Sequence, residues 1–263
     1  MTEPIYAGAS EGYDELFARA TRLFIPALLR AARIAPGHRV LDVATGTGIA
    51  ASAAADAVGP SGSVVGGDIS STMLETARRN LKGRPVTLDL FDGQALPYAD
   101  SSFDAVMCQL GLMFFPDPVR GLSEFRRVLR PGAWTAASVT TTPDRSLFAR
   151  IGAVIARHAP ETAKRLNRFF SIPDAAQMRS LMLQADLREV DVRTETRTIA
   201  FESFSAYFRG TEMGAGLVGQ EYVRLPLDIQ QRVRGEVRAG LRLNREDQPL
   251  LIEMDVLIGS GRR

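Results

Sequence analysis

The stretch VLDVATGTGIA at residues 40–50 decides the fold of this chain. The apolar residues on either side of Asp42 form the near-continuous run of a parallel strand that is covered on both faces. Gly46 and Gly48 permit a tight turn and let the backbone approach a ligand closely. The alanine-rich residues that follow predict a helix. A strand, a glycine turn and a helix start, in this order, predict a nucleotide-type site.

The composition excludes several classes of function. The 263 residues are 45% hydrophobic and 24% charged, which is ordinary for a globular protein. The net charge of +2 is too small to indicate a nucleic acid or an anionic membrane as partner. The single cysteine excludes an internal disulfide, and with only two histidines we expect no metal site. Without a signal peptide or a long apolar run, we expect a soluble, cytoplasmic protein.

Predicted strands and helices alternate along most of the chain. Such alternation predicts stacked βαβ units in an α/β fold, a Rossmann-like, doubly wound, mostly parallel seven-stranded sheet. The predicted strands cover residues 40–43, 63–68, 85–90, 103–108, 133–139, 187–198 and 250–258. The predicted helices cover residues 49–58, 71–82, 118–129, 146–159 and 174–185.

Two further segments complete the predicted organisation. Apolar residues at helical spacing over residues 11–32 predict a helix bent at Pro26, within an N-terminal segment (residues 1–35) over the ligand site. Residues 36–263 form the main domain. Within it, residues 201–248 are rich in Phe, Tyr, Met and Leu and are interpreted as a helical insertion that covers the mouth of the sheet.

Ligands of open parallel sheets bind beyond the carboxyl ends of the strands, and the residues there allow two interpretations. Gly46-x-Gly48-x-x-Ala51 with the later Asp68 fits a dinucleotide fingerprint, which leaves an NAD(P)-dependent oxidoreductase as an alternative. Asp42 argues against this alternative, because a carboxylate before the turn would repel the negatively charged pyrophosphate. A Tyr-x-x-x-Lys arrangement for hydride transfer is also absent from the sequence.

The motifs taken together resemble class I S-adenosylmethionine-dependent methyltransferases. The resemblance is to the type 11 group, which includes the ubiquinone and menaquinone C-methyltransferases. Ala44 stands where many members have glycine, and a methyl group there is a mild replacement. The resemblance covers about residues 36–140 and rests on residues 40–48, 67–74, 92–97, 103–117 and 126–132.

The resemblance implies S-adenosylmethionine as the cofactor. Asp68 would accept hydrogen bonds from both ribose hydroxyls and Asp92 from the adenine amino group. Asp42 would either orient the glycine loop by holding its N–H groups or counter the cationic end of the cofactor, and both roles remain open. The implied cofactor-binding residues are Asp42, Ala44, Thr45, Gly46, Gly48, Asp68, Ile69, Met73, Asp92, Gly93, Gln94, Cys108 and Gln109, with Ile69 and Met73 enclosing the adenine.

The methyl acceptor is less clearly indicated. Methyl transfer needs a positioned donor and acceptor and the exclusion of water, but no metal. A general base helps with some acceptors, and Tyr13 and His158 are candidates, although packing or surface roles also explain them. Apolar residues beyond strand four and in the cover predict a pocket for a small apolar or aromatic metabolite: Leu112, Met113, Phe114, Phe170 and Tyr207. A non-catalytic binding relative is the remaining alternative. For the protein itself, we expect a monomer or a homodimer.

Overall fold

The computed structural model describes residues 19–243, 245 and 247–263. Its seven strands form one sheet in the order β3-β2-β1-β4-β5-β7-β6. Strands β1 to β5 run parallel, whereas β7 is antiparallel to both β5 and β6. The predicted mostly parallel, seven-stranded sheet is therefore confirmed. The strands are β1 (Arg39–Val43), β2 (Ser63–Asp68), β3 (Val86–Leu90), β4 (Phe103–Gln109), β5 (Leu129–Thr140), β6 (Arg188–Phe201) and β7 (Leu250–Arg262).

Helices pack on the sheet in two groups. Helix α1 contacts β4, β5 and β7 and also touches α2, which packs on β1 to β3. Helix α4 packs on β5 and touches α7, which packs on β6 and β7. Helices on both faces give the doubly wound arrangement. The helices are α1 (Ile25–Ala31), α2 (Ile49–Val58), α3 (Ser71–Asn80), α4 (Pro118–Val128), α5 (Ala149–His158), α6 (Ala163–Leu166), α7 (Ala175–Gln184), α8 (Phe204–Glu212), α9 (Gly216–Val223) and α10 (Leu227–Gly240).

The N-terminal helix differs from its prediction. Residues 19–22 are helical, residues 23–24 form a turn, and α1 begins anew at Ile25. Pro26 lies in the first turn of α1, where a missing N–H removes no helical hydrogen bond. The expected bend is thus a break between two helical pieces. Residues 11–18 of the predicted helix lie outside the described residues.

Strands β5 and β7 are longer than predicted. β5 begins at Leu129 and continues through Pro131 and Gly132, because a register shift opposite Phe103 and Ala105 accommodates them. β7 continues past Ile258 to Arg262, pairing with both β5 and β6. The residues of this extension are mainly small and do not alternate between apolar and polar, so the sequence pattern does not predict that the strand continues.

Helices also fill much of the predicted cover. Within residues 201–248 lie α8, α9 and α10, and both α9 and α10 contact α5, which precedes this segment. An aromatic cluster joins them, since Phe208 stacks on Phe204 and meets Tyr222 edge to face. Helix α5 thus forms the base on which the cover packs. Within the described ranges, every helix is too short or too polar to cross a bilayer.

Candidate cofactor site

A pocket lies at the carboxyl ends of β1 and β4, where the strand order reverses. The glycine loop after β1 forms one wall. Thr21 and Ile25 of the N-terminal segment form another, which sequence reasoning did not assign to the site. The lining residues are Thr21, Ile25, Asp42, Ala44, Thr45, Gly46, Thr47, Ile49, Ala50, Gln109 and Leu110. Among these described residues are one acid, Asp42, and one side-chain amide, Gln109, but no lysine, arginine or histidine.

Asp42 is fully buried at this pocket. Its Oδ2 accepts a hydrogen bond from the Thr45 hydroxyl at 2.7 Å, while its Oδ1 accepts none from the described residues. Burial raises the pKa of Asp42 to about 7, against the Thr45 hydroxyl, which lowers it, and with the charge of Asp68 adding to the rise. A buried acceptor without a partner is costly unless a ligand supplies a donor or a positive charge. Asp42 is therefore suited to face a cation.

Asp68, at the end of β2, holds an N–H group of the glycine loop, which was one of the two roles left open for Asp42. Its Oδ2 accepts from the Gly46 N–H and its Oδ1 from the Ser70 N–H, both at 2.9 Å. Burial raises the pKa of Asp68, and these two N–H groups oppose the rise. Each carboxylate oxygen keeps a second lone pair. Asp68 therefore ties the glycine loop to the β2–α3 connection and can still accept hydrogen bonds from a ligand.

Three residues of the glycine loop have a positive φ, in the left-handed region of backbone conformation, and their surroundings differ. A Cβ on Gly46 (φ +56°) would meet no atom within 4 Å, so this position borders open space. A Cβ on Gly48 (φ +87°) would lie 2.7 Å from the Leu81 Cδ1, so packing requires this glycine. Ala44 has φ +58°, where a side chain costs roughly 1 kcal/mol. The methyl group of Ala44 is therefore not the mild replacement that the sequence suggested.

The residues predicted for the adenine are only partly exposed. Asp92 is exposed, and its Oδ1 accepts from the Gln94 N–H at 2.9 Å. Ile69 is 59% exposed at the end of β2, whereas Met73 is 3% exposed and packs in α3. This placement favours Ile69 over Met73 as a ligand contact. Leu90, 61% exposed and the register partner of Asp68, was missed, although it ends strand three with an apolar residue.

Gly93, Cys108 and Gln109 have distinct surroundings. A Cβ on Gly93 would lie 2.4 Å from the Phe115 Cζ, so packing explains this glycine. Cys108 is fully buried, and burial raises the pKa of its thiol. Gln109 lines the pocket, where its Nε2 donates to the Thr21 carbonyl at 2.9 Å and its Oε1 is buried without a partner. Gln109 is thus the residue of the three whose side chain faces the pocket.

The residues predicted for the acceptor mostly lie in the core. Leu112, Met113 and Tyr207 are at most 1% exposed, and the Tyr207 hydroxyl donates to the Leu147 carbonyl at 2.7 Å. Burial also raises the pKa of Tyr207, which disfavours a role as base. The two half-buried members of the predicted set are Phe114 and Phe170. These two remain the candidates for acceptor contact.

Neither predicted base is placed in the pocket. His158 ends α5, and its Nε2 lies 2.8 Å from Glu236 on α10. The same carboxylate pairs with Arg157, so His158 belongs to a contact between helices of the cover. Tyr13 lies outside the described residues.

Comparison with known proteins agrees with this geometry. A model of the methyltransferase domain matches residues 41–137. A ubiquinone/menaquinone biosynthesis C-methyltransferase of Geobacter sulfurreducens is 32% identical over 183 residues, which are 64% of this chain and 72% of that protein. The chain belongs to the S-adenosylmethionine-dependent methyltransferases.

Other relatives of this methyltransferase extend the match. A demethylmenaquinone methyltransferase of Staphylococcus carnosus is 28% identical over 214 residues, 74% of this chain and 88% of that protein. The solved structure of the YcgJ protein of Bacillus subtilis shares the fold, with a TM-score of 0.58 at 18% identity, over 91% of this chain and 97% of that one.

The pocket of the methyltransferase fits its cofactor. S-adenosylmethionine carries a sulfonium and an ammonium group, and the pocket holds two buried acceptors without partners, Asp42 Oδ1 and Gln109 Oε1. The open space beside Gly46 admits a ligand against the backbone. The described residues place an unpaired carboxylate oxygen in this pocket and no basic side chain, which suits a cation better than a pyrophosphate.

Proposed function

We propose that this enzyme methylates a small, apolar or aromatic metabolite of the quinol or phenol type. The observation that carries the proposal is the segment LGLMFF at residues 110–115, which contains no polar side chain and whose half-buried residues, Phe114 and Phe115, are aromatic. A charged acceptor would need a partner here that this segment does not supply. The relatives named above, which act in ubiquinone and menaquinone biosynthesis, support the same class of acceptor.

The proposed contacts with the adenosyl part follow from the family resemblance, and those with the methionine end follow from the pocket residues Asp42 and Gln109. Asp68 accepts from the ribose hydroxyls, Asp92 from the adenine amino group, and Ile69 packs against the ring. Asp42 and Gln109 face the methionine end, where their free oxygens suit cationic groups. When bound, the cofactor supplies a methyl group on an electrophilic sulfonium. These residues fix its position, which is the largest contribution that a protein makes to an in-line displacement.

The chain also supplies walls that exclude water. Thr21 and Ile25 close one side of the pocket, and we propose that residues 1–35 form a segment over the cofactor. Residues 201–248, with α8 to α10, form the proposed cover on the acceptor side. Water exclusion protects the reactive donor and strengthens electrostatic contacts in the site. Methyl transfer to a quinol or phenol also releases the proton of the attacking group. We assign no residue as the general base for this proton, because His158 contacts Glu236 and does not line the pocket.

We further propose a cytoplasmic enzyme, since the single cysteine is fully buried and forms no disulfide, as in proteins of reducing compartments. Its subunit state, monomer or homodimer, is measurable by static light scattering. The acceptor does not depend on this result.

A labelled-methyl assay tests the acceptor class. The enzyme is incubated with S-adenosylmethionine labelled in the methyl group and, separately, with a reduced naphthoquinone, a simple phenol and phosphoethanolamine. We expect label in the organic extract of the first two and none in the amine. The Asp68→Ala variant controls for transfer that does not depend on the site. Label in the amine alone would contradict the proposed acceptor class while leaving the cofactor assignment intact.

A further inference from the structure

Gln109 joins two parts of the molecule through one amide group. Its Nε2 donates to the backbone carbonyl of Thr21 at 2.9 Å, across 88 positions of the chain. A carbonyl only accepts hydrogen bonds, so the amide nitrogen must face Thr21 and the amide oxygen must point away. That oxygen is buried and has no partner. The orientation of the side chain is therefore set by the N-terminal segment.

The backbone under Gln109 is held firmly. Leu110 follows it with φ +51°, a conformation that is costly for a branched residue. The Leu110 N–H donates to both the backbone oxygen and the Oγ of Ser138, each at 3.0 Å. This anchor to β5 fixes the point where β4 ends. Gln109 is thus rigid at its backbone, and its side chain bridges to a separate segment.

Residues 19–31 have other attachments that do not involve the pocket. The Arg197 Nε donates to the Leu23 carbonyl at 3.3 Å, and its guanidinium lies over the Phe24 ring at 5.7 Å from the ring centre. These contacts, together with the packing of α1 on the sheet, hold the segment whatever occupies the pocket. By contrast, the hydrogen bond from Gln109 to Thr21 joins two residues that line the pocket, so a ligand can influence it.

We propose that Gln109 is a positioning residue that couples occupation of the ammonium subsite to docking of residues 19–31. The inference rests on the cofactor site proposed above. The ammonium group of the cofactor donates to the Gln109 Oε1, next to the Asp42 Oδ1. Hydrogen bonds in a chain polarise one another, so this contact strengthens the bond from Nε2 to Thr21. By reciprocity, docking of the segment tightens binding of the ammonium group to the same degree.

Calorimetry with two ligands tests the ligand side of this coupling. S-adenosylhomocysteine carries the ammonium group, whereas 5′-methylthioadenosine retains adenine and ribose but lacks the amino-acid part. We expect Gln109→Leu to weaken the binding of S-adenosylhomocysteine at least tenfold and to change the affinity for 5′-methylthioadenosine less than twofold. A merely structural defect would weaken both ligands. Asp68→Ala, which alters the ribose contact, is the control that weakens both.

Hydrogen–deuterium exchange tests the segment side. In the wild type, we expect S-adenosylhomocysteine to slow exchange in residues 19–31, and in Gln109→Leu we expect no such change. Gln109→Glu keeps an acceptor but loses the donor to Thr21, so it should bind S-adenosylhomocysteine without slowing exchange. Arg197→Leu should speed exchange of the segment equally with and without ligand.

Two results separate this inference from the cofactor assignment. If the wild type binds S-adenosylhomocysteine but Gln109→Leu binds it equally well, or loses both ligands equally, the coupling is wrong and the cofactor site stands. If the wild type binds neither adenosyl ligand, the cofactor site itself is wrong and the coupling falls with it. Ligand-dependent slowing of exchange that survives in Gln109→Glu would also overturn the coupling.

Discussion

Replacing Asp42 by asparagine should stabilise the protein and weaken its cofactor, two effects of opposite sign. Burial raises the pKa of Asp42 from 3.8 to about 7. Each pKa unit corresponds to about 1.4 kcal/mol, so the shift costs the empty protein about 4 kcal/mol at pH 8, where the folded carboxyl group is ionised. At pH 5 only the unfolded chain ionises this group, and the cost is about 2 kcal/mol. The folded state binds this proton more tightly than the unfolded state. The stabilising contribution is therefore complete below about pH 4 and is lost as the pH rises through 7.

The assay is urea unfolding of both proteins at pH 5 and pH 8. We expect the wild type to lose about 2 kcal/mol more free energy of unfolding than Asp42→Asn over this interval, because asparagine does not titrate. Asp228→Asn is the matched control, since this acid is 64% exposed and pairs only loosely with Arg232. The control should change the free energy of unfolding by less than about 0.5 kcal/mol at either pH.

Calorimetry with S-adenosylhomocysteine completes this prediction. A cation beside the Asp42 Oδ1 favours the ionised carboxylate, so binding to the wild type should release a proton and strengthen from pH 6 to pH 8. Asp42→Asn should bind at least tenfold more weakly, with no such pH dependence. If the wild type and Asp42→Asn showed the same pH dependence, both in binding and in unfolding, an unpaired carboxylate could not lie at the ligand.

Three further substitutions, one of them with a matched control, test other assignments. Gly46→Ala and Gly83→Ala both place a side chain at positive φ with no atom within 4 Å of the new Cβ, so each should cost roughly 1 to 2 kcal/mol in unfolding by urea. Calorimetry should then show that Gly46→Ala binds S-adenosylhomocysteine at least tenfold more weakly than the wild type, whereas Gly83→Ala binds it as the wild type does. Equal affinities of the two variants would place the ligand elsewhere. Asp68→Ala should raise the dissociation constant at least tenfold, about 1.4 kcal/mol, and no change would contradict the ribose assignment. Tyr207→Phe removes the bond to Leu147, so it should cost about 1 kcal/mol of stability and leave methyl transfer unchanged, whereas lost transfer at full stability would return Tyr207 to the acceptor pocket.

The local sequence pattern predicts the sheet, because each βαβ unit has its own apolar strand, periodic helix and turn residues. The helix over Ile49–Val58 and the strand over Ser63–Asp68 have the predicted bounds. The helix predicted to begin at Ser71 does so, with the Ser70 side chain accepting a hydrogen bond from the Met73 N–H at its start. Strand β7 is where this approach fails. Gly259 and Ser260 pair on both sides without an apolar pattern, and a Cβ on Gly259 would lie 2.7 Å from the Met178 Cε.

The site shows a similar division between position and role. The rule that ligands bind at the carboxyl ends of parallel strands brings Asp42, Asp68 and Gln109 to one edge from sequence alone. It does not say which acid holds the loop. The Gly46 N–H reaches Asp68 across 22 positions, and the Gln109 amide reaches Thr21 across 88, so only the folded chain assigns these partners.

Several costs to stability are concentrated at one pocket. Ala44 and Leu110, two non-glycine residues at positive φ, flank the same space as the unpaired oxygens of Asp42 and Gln109. Such costs persist where function requires them. A ligand that pairs with Asp42 removes the largest of them, so its binding should appear as added stability. Asp42→Asn should therefore melt at a higher temperature than the wild type without ligand, yet gain less from saturating S-adenosylhomocysteine. If the variant gained as much as the wild type, the cost of Asp42 would have to be explained without the cofactor.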